Sequence, residues 1–489
     1  MDPVVIGVDS STQSTKAAVV DAATGRLLAL GRAAHTVTGQ GGARESDPEQ
    51  WWTALTRAVA AGLAESGARP RAVAGIAVAG QQHGLVVLDA AGRPLRPAML
   101  WNDTRAAPQA AALIGELGGG RAWLERTGSV PVASMTAAKW RWLCEHEPRR
   151  AEHTAALRLP HDFLTERLAG TAATDPGDAS GTCWYSTATG AYDGGLLDLL
   201  GLDASLLPQV APTGATRVGG LTAAAARALG LPAGVAVAAG TGDNMAAAVG
   251  LGLGASGLLD HPVMSLGTSG TVFAATRTRP AAAALAGFAA TDRPGTFLPL
   301  GCTLNCTLAV DQVAALLGLD RDDAQPGGEA VLLPYLDGER TPDLPGASGL
   351  LTGLRHATTP QQLLGAAYEG AVFTLLRALG ELPGAAGGGD GPLRLVGGGA
   401  RGRTWVETVR RLSGRPVVLP RSTELVALGA AALAAGAATG GDPVEIASSW
   451  GSGDGDALPP VRRDHAASAR IASVLDTGAP ALLTPQGHR

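Results

Sequence analysis

Two periodicities alternate along the chain. Residues 4–8 (Val-Val-Ile-Gly-Val) are uniformly apolar and stop at Asp9, and a second apolar run leads from Lys16 to Asp21. An apolar run without alternation reads as a strand buried on both faces. The spacing therefore predicts a hairpin with its turn at 9–15 (Asp-Ser-Ser-Thr-Gln-Ser-Thr), and a third strand after Thr24-Gly25. The pattern then becomes helical: Asp47-Pro48 opens the helix, Gln50 completes a capping-box pattern, and Trp52, Leu55, Val59 and Leu63 form one stripe. Residues 73–78 and 235–239 read as further buried strands. The latter runs through Gly240-Thr241-Gly242 into an Ala-rich helix with Asp243 at its N-cap.

Downstream, Val263 to Leu266 enters Gly267-Thr268-Ser269-Gly270 and returns through 271–273, a second hairpin that implies duplication. Thr359-Pro360 caps a long helix with Leu364, Ala367, Ala371 and Leu375 on one side. Leu393 to Val396, Gly397 to Gly399, a helix from about Arg403 and Pro416 to Leu419 make a strand, glycine turn, helix, strand unit. Both halves read as α/β, with domains at 1–250 and 251–489, and Gly384 to Gly391 as a surface loop.

Composition agrees with two domains, because 489 residues exceed the size at which one core stops growing. With 46% hydrophobic, 17% charged and 4% aromatic residues, the interior must be built from Ala, Val and Leu. A net charge of -5 offers no basic face, so nucleic acid is not expected as a partner. No export leader and no apolar stretch of membrane-spanning length is read, so the expectation is a cytoplasmic protein without a membrane partner. Cys144, Cys183, Cys302 and Cys306 match no zinc spacing and read as reduced thiols. Of 38 basic residues only Lys16 and Lys139 are lysines.

Five constellations could carry chemistry. Asp9 ends a buried strand beside a hydroxyl-rich turn and Lys16; a cation with bound phosphate would compensate it, and so would ordinary turn capping. Gly267 to Gly270 could cradle phosphate oxygens or simply turn the chain. Gly397 to Gly402 has the G-x-G-x-x-G spacing, but the acidic residue due after the next strand is replaced by Pro420-Arg421. Asp243-Asn244 reads as a helix cap and equally as an ionised base for phosphoryl transfer. Gln81-Gln82-His83-Gly84 and Trp101-Asn102-Asp103 set hydrogen-bonding groups beside an aromatic surface, which suits a polyol.

Taken in order, Ile6-Gly7-Val8-Asp9 with Ser11, Thr12 and Lys16, Gly80 to Gly84, Leu100 to Asp103, Asp175 to Thr182, Gly242-Asp243-Asn244, Ser265 to Gly270, Leu333 to Pro342 and Gly397 to Arg401 resemble the FGGY carbohydrate kinases. The resemblance implies a duplicated two-domain actin/hexokinase-like (ribonuclease H-like) α/β fold with ATP in an interdomain cleft. It implies Asp243 as catalytic base; Asp9 and Asp243 at Mg²⁺; Ser11, Thr12, Lys16, Gly267, Thr268 and Ser269 at the phosphates; and Gly398, Gly399 and Ala400 along adenosine. Sugar contacts would come from Gln82, His83, Trp101, Asn102, Asp103, Asp243 and Asn244.

The likeness is strongest to the ketose-phosphorylating branch. Its glycerol-phosphorylating members carry an Arg-Glu pair where Gln82-His83 stands, while its bacterial xylulose members usually carry Met at the position of Gln82. The expected partners are ATP and a small ketose, D-xylulose first, with L-ribulose or another ketose or polyol as alternatives, and a homodimer left open. Two other readings remain at this point, an actin-like ATPase that acts as an interaction protein and a nicotinamide-dependent oxidoreductase built on Gly397 to Gly402. No Gly-Lys-Ser/Thr occurs for a P-loop enzyme.

Overall fold

The first hairpin forms from β1 (Val4–Ser10) and β2 (Ser14–Asp21), in a register that sets Asp9 opposite Lys16. This is a computed structural model, and it describes residues 3–255, 258–280, 282–336, 338–342, 344 and 346–478. Asp337, part of the quoted 333–342 block, lies outside the described residues.

The chain divides into two units. The first comprises Met1–Leu259, Ala275–Leu298 and Glu424–Gly453, and the second Asp260–Ala274, Pro299–Thr423 and Asp454–Arg489.

In the first unit, β1 and β2 join β3 (Leu27–Ala34), β4 (Val73–Gly80), β5 (Arg217–Gly220), β6 (Ala236–Ala238) and β7 (Thr241–Gly242). The sheet is seven-stranded, ordered β5-β6-β4-β1-β2-β3, with β7 also on β4. β1, β4 and β6 run parallel, while β2 and β3 continue antiparallel and β5 closes the other edge antiparallel.

Alternate residues of β1 serve two different layers, which is why its sequence shows no alternation. Val4, Ile6 and Val8 pack with Trp51, Leu55 and Val59 of the helix Pro48–Ser66. Val5 on the opposite face packs with Ala427, Ala431 and Leu433 of the helix Leu425–Thr439. That helix approaches so closely that a Cβ on Gly7 would stand 1.9 Å from the Ala427 carbonyl oxygen, so only glycine fits there.

Two local expectations shift. Asp47 caps the helix Pro48–Ser66 by accepting from the Glu49 N–H, but the Gln50 side chain accepts from Thr36 and completes no capping box. The fully buried tryptophan is Trp51, with Trp52 and Leu63 only half-buried at the margin. Leu55 and Val59 face inward as expected, and only the two ends of the stripe shift by one residue, to Trp51 and Gly62.

In the second unit, β8 (Val263–Leu266), β9 (Gly270–Phe273), β10 (Phe297–Thr303), β11 (Leu393–Val396), β12 (Val417–Pro420) and β13 (Gly455–Leu458) are ordered β10-β9-β8-β11-β12-β13. Here β8, β11 and β12 are parallel, β9 and β10 continue antiparallel, and β13 closes the edge antiparallel. The two sheets share the hairpin, the third antiparallel strand and the parallel centre, but differ at the far edge: β5 precedes its inner neighbour β6 in the chain, whereas β13 follows its inner neighbour β12. The helix Pro360–Gly380 is capped by Thr359 and buries Leu364, Ala367, Ala371 and Leu375. Among the described residues it alone is a single helix long and apolar enough to cross a bilayer, and it is 78% buried within the protein. Gly384 to Gly391, expected as loop, contains a short helix, Ala385–Gly388.

Candidate active site

Three chain segments leave the C-terminal ends of adjacent parallel strands in the first unit, where open α/β sheets place their ligands. The turn after β1 carries Asp9, Ser11 and Thr12, β4 leads into Gln81-Gln82-His83, and β7 leads into Asp243. Ser10 pairs with Gly80, and Gly80 in turn with Gly242, which brings the three ends together.

Asp243 is the first residue of the helix Asp243–Gly250, and Gly242 occupies the N-cap. The carboxylate is therefore one position inside the expected cap. Its Oδ1 accepts from the Asn244 N–H at 2.8 Å and from Asn244 Nδ2 at 3.1 Å. Asn244 Nδ2 also donates to Gln82 Oε1 at 2.8 Å, so Gln82, Asn244 and Asp243 form one cluster.

Burial pushes the Asp243 carboxyl up to about 7, and the nearby charges of Asp9 and Asp178 push in the same direction. This departs from the expectation that a helix start keeps it ionised: desolvation and like charge outweigh the helix end. The Asp9 carboxyl is likewise raised by burial, although Ser11 and Lys16 favour its charged form. Two desolvated carboxylates that repel each other suit a divalent cation, whose charge would remove both penalties.

Lys16 lies 3.7 Å from Asp9, but its closer partner is Glu424 Oε2 at 2.7 Å. Sequence reading missed Glu424, because nothing local links residues 408 positions apart. Trp101 Nε1 donates to Thr12 Oγ1 at 3.0 Å, tying a proposed sugar residue to the first turn. Asn102 follows it, half-buried. Asp103 points elsewhere: it accepts from the Arg44 N–H and pairs with Arg105. Burial raises its carboxyl, but these partners override it and hold the group below its usual range.

Beneath this cluster lies a buried charged layer the sequence did not reveal. His161 Nδ1 meets Asp178 Oδ2 at 2.7 Å and its Nε2 lies 3.1 Å from Asp162 Oδ1. Burial alone would lower His161, yet Asp162, Asp178 and Asp175 raise it to about 9. The Gln82 amide faces Asp178 and favours its charged form. Thr241 Oγ1 donates to Asp175 Oδ2 at 2.8 Å, anchoring the segment just before Asp243.

His83 has a backbone φ of 63°, and its ring packs against Phe288 with centroids 5.7 Å apart. Gly181 abuts the same ring, since a Cβ there would stand 2.4 Å from His83 Nδ1.

In the second unit the turn Gly267 to Ser269 and the turn Gly398–Arg401 leave the ends of neighbouring parallel strands β8 and β11. Gly399 packs on Leu266 and Thr307, and Thr307 donates to the Gly267 carbonyl through both its N–H, at 3.1 Å, and its hydroxyl, at 2.9 Å. Gly267, Thr268, Ser269, Gly398, Gly399 and Ala400 thus form one neighbourhood. Among the described residues no group of three or more His, Cys, Asp or Glu side chains is arranged to hold a metal ion.

The N-terminal domain model of the FGGY family of carbohydrate kinases matches residues 4–250, and its C-terminal domain model matches residues 263–438. The chain belongs to the FGGY family of carbohydrate kinases. The kinase is 57% identical to the xylulose kinase of Streptomyces rubiginosus and 58% to that of Streptomyces coelicolor, each over 98% of this chain and 97% of the relative. Its fold superposes on the crystal structure of xylulose kinase from Bifidobacterium adolescentis with a TM-score of 0.82 and 32% identity, covering 97% of this chain and 99% of that one. The enzyme is thus a sugar phosphotransferase of actin/hexokinase-like fold with ATP as a substrate, and the nicotinamide and non-enzymatic readings fall away.

Proposed function

We propose that this kinase transfers the γ-phosphoryl group of ATP to the terminal hydroxyl of D-xylulose, giving D-xylulose 5-phosphate. The observation that carries the reading is the Gln82–Asn244–Asp243 cluster beside His83, in a chain sharing more than half its residues with two xylulose kinases. A carboxylate held in place by the Asn244 N–H and side-chain amide can accept a hydroxyl proton during phosphoryl transfer. Asp243 is accordingly the base.

Gln82, His83, Trp101, Asn102 and Asn244 contact the ketose, and Asp103 holds their loop through Arg105. Asp9 and Asp243 hold Mg²⁺, which supplies charge stabilisation to the phosphates when bound. Phosphate contacts fall to Ser11, Thr12 and Lys16 in the first unit and to Gly267, Thr268 and Ser269 in the second, with Gly398, Gly399 and Ala400 along adenosine. Most of the rate enhancement then comes from positioning and charge stabilisation.

A coupled ADP-release assay over D-xylulose, L-ribulose, glycerol and other polyols tests the substrate. D-Xylulose should give the highest kcat/KM; a higher value for any other compound overturns the assignment.

A further inference from the structure

Lys139 lies in the helix Thr136–His146, fully buried, and no role given above uses it. Its Nζ donates to the main-chain carbonyl of His83 at 2.6 Å and to that of Ser134 at 2.5 Å. Both acceptors are peptide oxygens, not carboxylates. Asp103 favours the charged amine from further away, but burial dominates and brings it down to about 7. A buried ammonium is costly, and an apolar side chain of the same volume usually serves stability as well or better. The cation is therefore better explained by what it holds.

What it holds is strained. His83 is one of three non-glycine residues with positive φ among those described, at 63°. Its carbonyl also accepts from Thr136 Oγ1 at 3.3 Å, so two side chains three positions apart on one helix converge on a single oxygen. The imidazole beyond it is confined by Phe288 and Gly181.

We propose that Lys139 is a positioning residue for sugar recognition: its ammonium clamps the His83 carbonyl, holds His83 in the left-handed backbone conformation and so fixes its imidazole against the ketose. The proposal rests on His83 being a sugar contact. Because Lys139 acts through His83, its loss affects the ketose and not the nucleotide.

The test compares Lys139→Met, Thr136→Val, His83→Ala and the Lys139→Met/His83→Ala double variant, with KM and kcat measured separately for D-xylulose and ATP. Lys139→Met should raise the ketose KM about tenfold or more, as expected for a lost charged hydrogen bond, and leave the ATP KM within about twofold. Thr136→Val should raise the ketose KM about threefold. In the His83→Ala background, Lys139→Met should add less than about twofold, because the group it orients is gone. A helix that needed Lys139 only for folding would instead lose Tm without this split.

The proposal is overturned if Lys139→Met leaves the ketose KM unchanged, or raises it by the same factor with and without the His83 ring. If His83→Ala alone leaves the ketose KM unchanged, the assignment of His83 fails and takes the proposal with it. Should Lys139→Met not fold, Thr136→Val decides, and an unchanged ketose KM there refutes the clamp.

Discussion

Gly181→Ala perturbs the His83 ring without removing any polar group. Gly181 lies in the turn Ser180–Thr182 and its φ is outside the left-handed region, so alanine suffers no backbone strain. The added methyl would start 2.4 Å from His83 Nδ1 and 2.5 Å from Cε1, where ordinary contact begins near 3.4 Å. Phe288 occupies another side of the ring, and the His83 carbonyl is fixed by Lys139 and Thr136. The imidazole must therefore yield by about 1 Å, enough to stretch a ~2.9 Å hydrogen bond beyond bonding distance.

Losing one such bond costs about 1–3 kcal/mol, a rise of roughly 5- to 150-fold in the ketose KM. Global stability should change little, because the glycine-to-alanine gain of about 0.4–1 kcal/mol in the unfolded chain offsets part of the repacking. Steady-state kinetics with D-xylulose and ATP varied independently, alongside thermal unfolding, would measure both. A ketose KM within twofold of wild type in a folded protein refutes the reasoning.

Asp243→Asn keeps the shape of the site and removes the base, so kcat should fall about 10²–10⁴-fold while ATP binding, followed by calorimetry, persists. Substantial residual turnover would remove Asp243 from that role. With its carboxyl near 7 in the metal-free protein, Mg²⁺ binding followed by calorimetry without nucleotide should strengthen as pH rises and level off above about 7, because the cation takes the deprotonated carboxylate. A profile flat from pH 5 to 8 contradicts this. Gly429→Ala would set a Cβ 1.8 Å from the Ala246 carbonyl oxygen on the helix that begins at Asp243. The overlap should cost about 1–3 kcal/mol and lower Tm by about 2–4 °C per kcal/mol; an unchanged Tm would show that the two helices part freely.

The hairpins and the long helix at Thr359 were legible because burial on both faces, or on one stripe, leaves a mark in the sequence itself. The error of one residue at Trp51 and Trp52 arises because neighbouring tryptophans fit the apolar spacing equally well, and only packing against β1 selects between them. Asp243 was legible by type and place, but its protonation was not, since the repulsion from Asp9 and Asp178 exists only once three strand ends meet. Glu424 and His161 were illegible for the same reason, since each acts on a side chain far away in sequence; Gly181 lay within the quoted 175–182 segment, but its contact with the His83 ring did not show. Lys139 carried a faint signal as one of two lysines, without any hint of the carbonyl it holds.

The helix Leu425–Thr439 closes one face of the first sheet although it is encoded near the far end of the chain. During translation at about 5–20 residues per second, roughly 10–40 s separate emergence of the Asp243–Gly250 helix from that of its cover. Through that interval Val5, Ala18, Ala77 and Ala238 have no partner layer. A nascent chain halted near residue 400 should thus be a chaperone client and a protease target, and the kinase is born all at once, after most of its length has been made.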